Sequence, residues 1–160
     1  MTLRLGIMVG LQCSGKSTIA KGMIKEGWIV LNPDTFRQVY SGTNKTLLDK
    51  LSEKKIWDSI YLTAKSLLVY GHEKVLIDGV FSSKWTREIW VNLAKEFGIE
   101  LEIYMMPFDV DLCIRRNRRI ARFVDDYGTP TDKVILNTAR RFQSPDSTEG
   151  RIINVKNKVD

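Results

Sequence analysis

The sequence predicts one three-layer α/β domain, a parallel sheet of about five strands with helices on both faces. Three observations predict it. Short apolar runs of strand length alternate with helical stripes along the whole chain. A glycine-rich turn, Gly10 to Ser17, joins the first apolar run to the first stripe. The 160 residues, 43% hydrophobic and 28% charged, suit a single domain with an ordinary core, spanning residues 1–160.

The elements follow in order. Leu3 to Val9 is rich in Leu, Ile and Val and reads as a buried strand. Lys16 to Glu26 carries Ile19, Ala20, Met23 and Ile24 as a helical stripe, and Gly27 is its expected stop. Trp28 to Leu31 is a second strand. Asn32-Pro33-Asp34 then breaks the chain, with Asp34 placed to start a helix as its N-cap. Leu47 to Val69 is a long helix stopped near Gly71. Val75 to Ile77 is a third strand, ending at Asp78-Gly79. Trp85 to Phe97 is an amphipathic helix, and Leu101 to Met106 a fourth strand ended by Pro107. Val110 to Phe123 is a helix, Asp125 to Thr131 a loop, Asp132 to Phe142 a helix and Arg151 to Val155 the last strand.

Composition excludes several classes. Cys13 and Cys113 lack metal-ligand spacing, and His72 is the sole histidine, so neither a zinc site nor a disulfide framework is expected. No apolar run approaches the roughly 18 residues of a membrane span. The apolar N-terminus runs straight into the glycine turn and reads as a strand, not a signal peptide. A soluble, cytoplasmic protein is expected. The net charge is +6, and it is local. Arg115, Arg116, Arg118, Arg119 and Arg122 lie together without an intervening acid, and outside that window the charges nearly cancel. One local anion site is implied.

Gly10-Leu-Gln-Cys-Ser-Gly15-Lys16-Ser17 fits G-x-x-x-x-G-K-[ST], between a strand and a helix. The glycines let successive N–H groups face inward, and these cradle a phosphate at the helix N-terminus. Gly10, Gln12, Cys13, Ser14, Gly15, Lys16, Ser17 and Thr18 are the expected nucleotide-binding set. Lys16 reaches the β- and γ-phosphates, the Ser17 hydroxyl suits Mg²⁺, and Thr18 lies near the α-phosphate. The motif alone does not separate kinase, ATPase and GTPase. The base-reading Asn-Lys-x-Asp motif of GTPases is missing, because Asn44-Lys45 has no Asp at position 47.

Ligands of parallel sheets gather at the carboxyl ends of the strands. If the second and third strands neighbour the first, Asp34 and Asp78 converge on the γ-phosphate. Transfer to a hydroxyl needs a carboxylate to orient it and take its proton, and Asp34 is the candidate. Its other reading is a plain cap. Arg37, three residues on, shares its helical face and suits an acceptor phosphate. Asp78 follows Val-Leu-Ile as a metal-shell or acceptor-orienting acid would, its alternative being a turn residue.

The pattern Gly10-x4-Gly-Lys-Ser-Thr, Leu31-Asn-Pro-Asp-Thr-Phe-Arg-Gln38, Ile77-Asp78 and Arg116-Asn117 resembles the P-loop kinase domain of phage polynucleotide 5′-kinase and its RNA-repair relatives. The resemblance implies the P-loop kinase fold, with an arginine-bearing lid near residues 115–131. It implies ATP and Mg²⁺, Asp34 as general base for a 5′-hydroxyl, Arg37 on the nucleic-acid phosphate and Asp78 facing the acceptor. It also implies that Arg140 to Pro145 and Glu149-Gly150 help frame the nucleotide base. Two departures stand out. The turn after Asp78 reads Gly-Val-Phe-Ser-Ser83, and Ile120 falls where a lid arginine is expected.

Arg115, Arg118 or Arg119, and Arg122 recur at helical spacing as one face, with Arg116 and Arg119 the candidates for the γ-phosphate. The bland alternative pairs them with Asp109, Asp111, Asp125 and Asp126. Trp28, Trp57, Trp85 and Trp90 read as core. Phe81 follows the Asp78-Gly79 turn and is the candidate to stack on a base, core burial being its alternative. Lys84 and Arg87 are placed to track a strand backbone. Cys13, near a helix N-terminus, is a candidate reactive thiol, small size being the other reason for it. The expected partner is nucleic acid, DNA ahead of RNA. Acceptors other than a 5′-end are a hydroxymethyl group on a modified DNA base such as 5-hydroxymethyluracil, or a small molecule. A nucleotide-binding module without transfer is the remaining class.

Overall fold

The structure is a computed structural model and describes residues 2–41, 50–121 and 130–156. The elements are β1 (Arg4–Val9), α1 (Lys16–Lys25), β2 (Ile29–Leu31), α2 (Pro33–Ser41), α3 (Lys50–Val69) and β3 (Lys74–Asp78), then α4 (Lys84–Glu96), β4 (Leu101–Met105), α5 (Val110–Ala121), α6 (Asp132–Arg140) and β5 (Arg151–Asn154). The alternation read from the sequence is therefore realised strand by strand. Residues 47–49 of the expected long helix lie outside the described residues, and α6 stops at Arg140, short of Phe142.

The five strands form one sheet in the order β2-β3-β1-β4-β5, and every pairing is parallel. Parallel strands buried on both faces explain why their sequences are nearly continuous apolar runs. On one face Leu5, Ile7, Val75, Ile77 and Ile103 pack against Ile56, Ile60 and Leu68 of α3 and Trp90 and Leu93 of α4. On the other face Met8 and Leu76 pack against Ala20 and Met23 of α1 and against Trp28. These are the two outer layers over the sheet.

The strand order places the site. The chain passes from β1 to one side of the sheet, then crosses to the other side with β4, so β1 ends at the switch point where α/β sheets bind ligands. β3 neighbours β1 directly, with Met8 level with Asp78. β2 does not neighbour β1; β3 lies between them. Asp78 is thus one strand from the glycine turn and Asp34 two. No helix among the described residues is long and apolar enough to cross a membrane.

Candidate active site

The chain leaves β1 at Val9 and turns into α1 through Gly10–Gly15. Both glycines are demanded by geometry. A Cβ on Gly10 would lie 2.7 Å from the Met106 Cβ, and Gly15, the N-cap of α1, has φ +98°. No acid occupies the first turn of α1. Its N–H groups and dipole therefore face space suited to an anion. The buried Ser14 hydroxyl there has no hydrogen-bond partner among the described residues, as a polar group awaiting a ligand would. Gln12 ties the turn to α6, its Nε2 donating to Thr138 Oγ1 at 3.1 Å.

Lys16 is 8% exposed, and its Nζ donates to the carbonyls of Gly10 at 3.0 Å and Leu11 at 2.5 Å. Burial pushes its pKa below the ordinary value, while the charge of Asp78 pulls it back up. A phosphate oxygen in place of those carbonyls would add charge to the hydrogen bond.

Asp78 gathers three segments. Its Oδ2 accepts from Ser17 Oγ and from Asn32 Nδ2, each at 2.9 Å. The first turn of α1 and the ends of β2 and β3 thus meet at one carboxylate. The Ser17 hydroxyl and the Asp78 carboxylate are hard oxygen donors and fit Mg²⁺. Among the described residues no group of three or more His, Cys, Asp or Glu side chains is placed to hold a metal ion. A Mg²⁺ site completed by phosphates and water needs no such group.

Two cavities meet at this point. One, about 790 Å³, is lined by residues 13–19 with Met106, Arg116, Arg119 and Ile120. The other, about 1020 Å³, is walled by α2, α3 and α4 and takes in Asn32, Asp34, Arg37 and Asp78. Cys13, Lys16 and Ser17 line both.

On the second cavity the Asp34 carboxylate is 79% exposed, and Arg37 Nη1 donates to it at 2.6 Å. Arg37 also binds Glu53 of α3 through Nε and Nη2. That hydrogen bonding holds the Glu53 carboxyl below the usual carboxylate range. Asp34 is not the cap of α2. Asn32 is: its Oδ1 accepts from the Asp34 N–H at 2.8 Å, with Pro33 at the first helical position. The Asp34 carboxylate is thereby released from capping.

The arginines divide instead of sharing one face. Arg116 Nη1 donates to the Ser14 carbonyl at 3.2 Å, and Arg119 lines the same cavity. Arg118 pairs with Asp132 at 2.8 Å, an acid not among its expected partners, and Arg115 is exposed. Arg122 and most of the expected loop, residues 122–129, lie outside the described residues.

Four expectations are corrected. Phe81 is 6% exposed and packs edge-on against Trp57 and Trp90, with centroids 5.6 and 6.1 Å away, so its ring is cavity wall and core. Trp85 is not core; it is 81% exposed. Arg87 tracks no strand. It is fully buried, donates to Glu149 at 2.7 and 3.0 Å, and binds the carbonyls of Phe81 and Gln143. Gln143 and Glu149, in the stretch expected to frame the nucleotide base, thus hold Arg87 beneath the turn after β3. Cys13 is no activated thiol. Burial pushes its pKa up, and its Sγ donates to Asn117 Oδ1 at 3.6 Å.

The AAA domain family matches residues 5–145. The bifunctional polynucleotide phosphatase/kinase of Schizosaccharomyces pombe is 24% identical over 146 residues, 90% of this chain and 31% of that protein's length. The chain thus spans less than a third of that relative. Among solved structures, a chain of the Pnkp1/Rnl/Hen1 RNA repair complex is similar with a TM-score of 0.75 and 22% identity, over 88% of this chain and 44% of that one. Chaetomium thermophilum Kti12, solved in complex with ADP-AlF3, gives a TM-score of 0.74 and 18% identity, over 98% and 90%. The fold is that of the P-loop kinases. With the match running from β1 to beyond α6, the chain belongs to the AAA domain family.

Proposed function

We propose that this domain transfers the γ-phosphate of ATP to a hydroxyl of nucleic acid, the 5′-hydroxyl end of a strand. The observation that carries the reading is the junction of two cavities at Lys16 and Ser17. One is built for a phosphate chain, and the other offers the carboxylate of Asp34. A simple nucleotide-binding module has no use for the second. The likeness to a polynucleotide phosphatase/kinase supports the choice of acceptor.

Each residue then has a task. The Gly10–Gly15 turn and the N-terminus of α1 bind the β-phosphate, with Arg116 and Arg119 closing on the chain from α5. Lys16 moves its hydrogen bonds from the loop carbonyls to the γ-phosphate and stabilises the charge that builds there. Ser17 and Asp78 would hold Mg²⁺, which when bound neutralises phosphate charge. Asp34, oriented by Arg37, accepts the proton of the attacking hydroxyl. The hydroxyl oxygen bonds the γ-phosphorus as the bond from that phosphorus to the β–γ bridging oxygen breaks, and ADP leaves. Arg37 also serves the first acceptor phosphate. Incubation with γ-labelled ATP and a 5′-hydroxyl oligonucleotide tests the reading. Label on the 5′-end is expected, and ATP binding without transfer to any acceptor would overturn it.

A further inference from the structure

The larger cavity carries a surface that proton abstraction does not require. Trp85 stands on its wall with 81% of its area exposed, whereas Trp28 and Trp90 are 3% and 1% exposed. The indole is held on a rigid helix end. Ser83 and Thr86 form a capping box over the first turn of α4, and the Lys84 N–H donates to Gln143 Oε1 at 2.9 Å. Ile89, one turn further along the same face, is 45% exposed and lines the cavity too. An indole and an aliphatic ridge therefore face the space that holds Asp34.

The charge of that space selects what can lie there. Its described acids are Asp34, Glu53, Asp58, Asp78 and Glu88, and its described cations are Lys16, Arg37 and Lys54. Arg37 is paired with Asp34 and Glu53, and Lys54 with Asp58 at 2.6 Å. Such a lining is no track for a run of phosphates. It suits a flat, uncharged group. The terminal nucleoside of a 5′-hydroxyl strand is one, since its 5′-carbon bears no phosphate and its first phosphate lies on the 3′ side.

We propose that Trp85 determines acceptor specificity: the base of the terminal nucleoside lies on its indole, and this stacking presents the 5′-hydroxyl to Asp34. The inference rests on the nucleic-acid reading above. It moves the stacking surface from Phe81, which is buried, to a residue whose sequence context looks like core.

The test is steady-state phosphorylation of two 5′-hydroxyl oligonucleotides, identical except that one lacks the base on its terminal residue. In the parent the missing base raises KM by about tenfold or more, within the range for base–aromatic stacking. Trp85→Ala raises KM for the intact strand by a similar factor and removes most of the difference between the strands. Trp85→Phe keeps most of that difference. The KM for ATP stays within about twofold in both variants, since a platform for the acceptor makes no contact with the phosphate chain. An abasic penalty in Trp85→Ala equal to that in the parent overturns the proposal while leaving the nucleic-acid reading intact. A parent that labels neither strand overturns that reading and this inference with it.

Discussion

The two edges of the sheet treat buried charge in opposite ways. At the amino-terminal edge Glu102 accepts from Arg4 Nε and Nη2 at 2.9 Å, and from Tyr104 and Arg151 at 2.6 Å each. Arg4 also lies over the Trp28 ring at 4.7 Å. At the carboxyl-terminal edge Asp78 is as deeply buried, 5% exposed against 4% for Glu102. It accepts from two neutral donors, Ser17 and Asn32, and Lys16 donates to two carbonyls. Breaking a buried ion pair by removing one partner costs about 3–5 kcal/mol, whereas a hydrogen bond between one charged and one neutral group contributes about 1.5–3 kcal/mol, which a ligand's own hydrogen bond can replace. Charge that holds the fold is saturated by charge. Charge meant for a ligand is held by neutral groups that a ligand can replace.

That contrast predicts which substitutions alter activity and which alter stability. Lys16→Ala should be the most severe for activity, cutting turnover by about a thousandfold or more and weakening ATP binding. Its unfolding midpoint should stay at or above that of the parent, because a desolvated ammonium is removed. Turnover and nucleotide titration beside a denaturant curve check both halves. Asp34→Asn should reduce kcat by about a hundredfold or more with ATP affinity nearly unchanged. Turnover at the parent rate would remove Asp34 from the role of base.

The other edge should behave inversely. Glu102→Gln should lower unfolding free energy by about 1–2 kcal/mol, Arg4 and Arg151 being partly exposed, and leave turnover intact. The smallest effect is its pH dependence. Burial pushes the Glu102 carboxyl up, but hydrogen bonds from Arg4, Tyr104 and Arg151 outweigh burial and hold it below the ordinary value of 4.5. A depressed carboxylate contributes stability above its unfolded pKa and loses it as pH falls through its folded pKa. The stability gap between parent and Glu102→Gln should therefore shrink as denaturation is carried from about pH 7 to about pH 3. A gap that widens on acidification would contradict the assignment.

Much of this was legible in the sequence because local patterns carry it. The apolar runs marked all five strands, and the glycine spacing located Lys16 and Ser17 at the sheet's switch point. Asp78 was found because it ends an apolar strand. What escaped depends on contacts distant in sequence. Asn32, which caps α2 locally, also links to Asp78 across a gap of 46 residues. Glu53 meets Arg37 only once α3 packs on α2, and nothing in its own helix marks it. Arg87 and Trp85 exchanged their expected places. Glu149, 62 residues away, neutralises the buried arginine, while the first turn of α4 projects the tryptophan into the cavity. Periodicity assigns a face, but the partner that covers or empties it comes from elsewhere in the chain.

The most direct test of the central claim is transfer of γ-labelled phosphate from ATP to three acceptors in parallel. They are a 5′-hydroxyl oligonucleotide, a 5′-blocked oligonucleotide with internal 5-hydroxymethyluracil, and a small-metabolite pool. Label is expected on the first, lost in Asp34→Asn. Label confined to the blocked strand or to the metabolite pool would contradict that claim, because the larger cavity would then serve another hydroxyl.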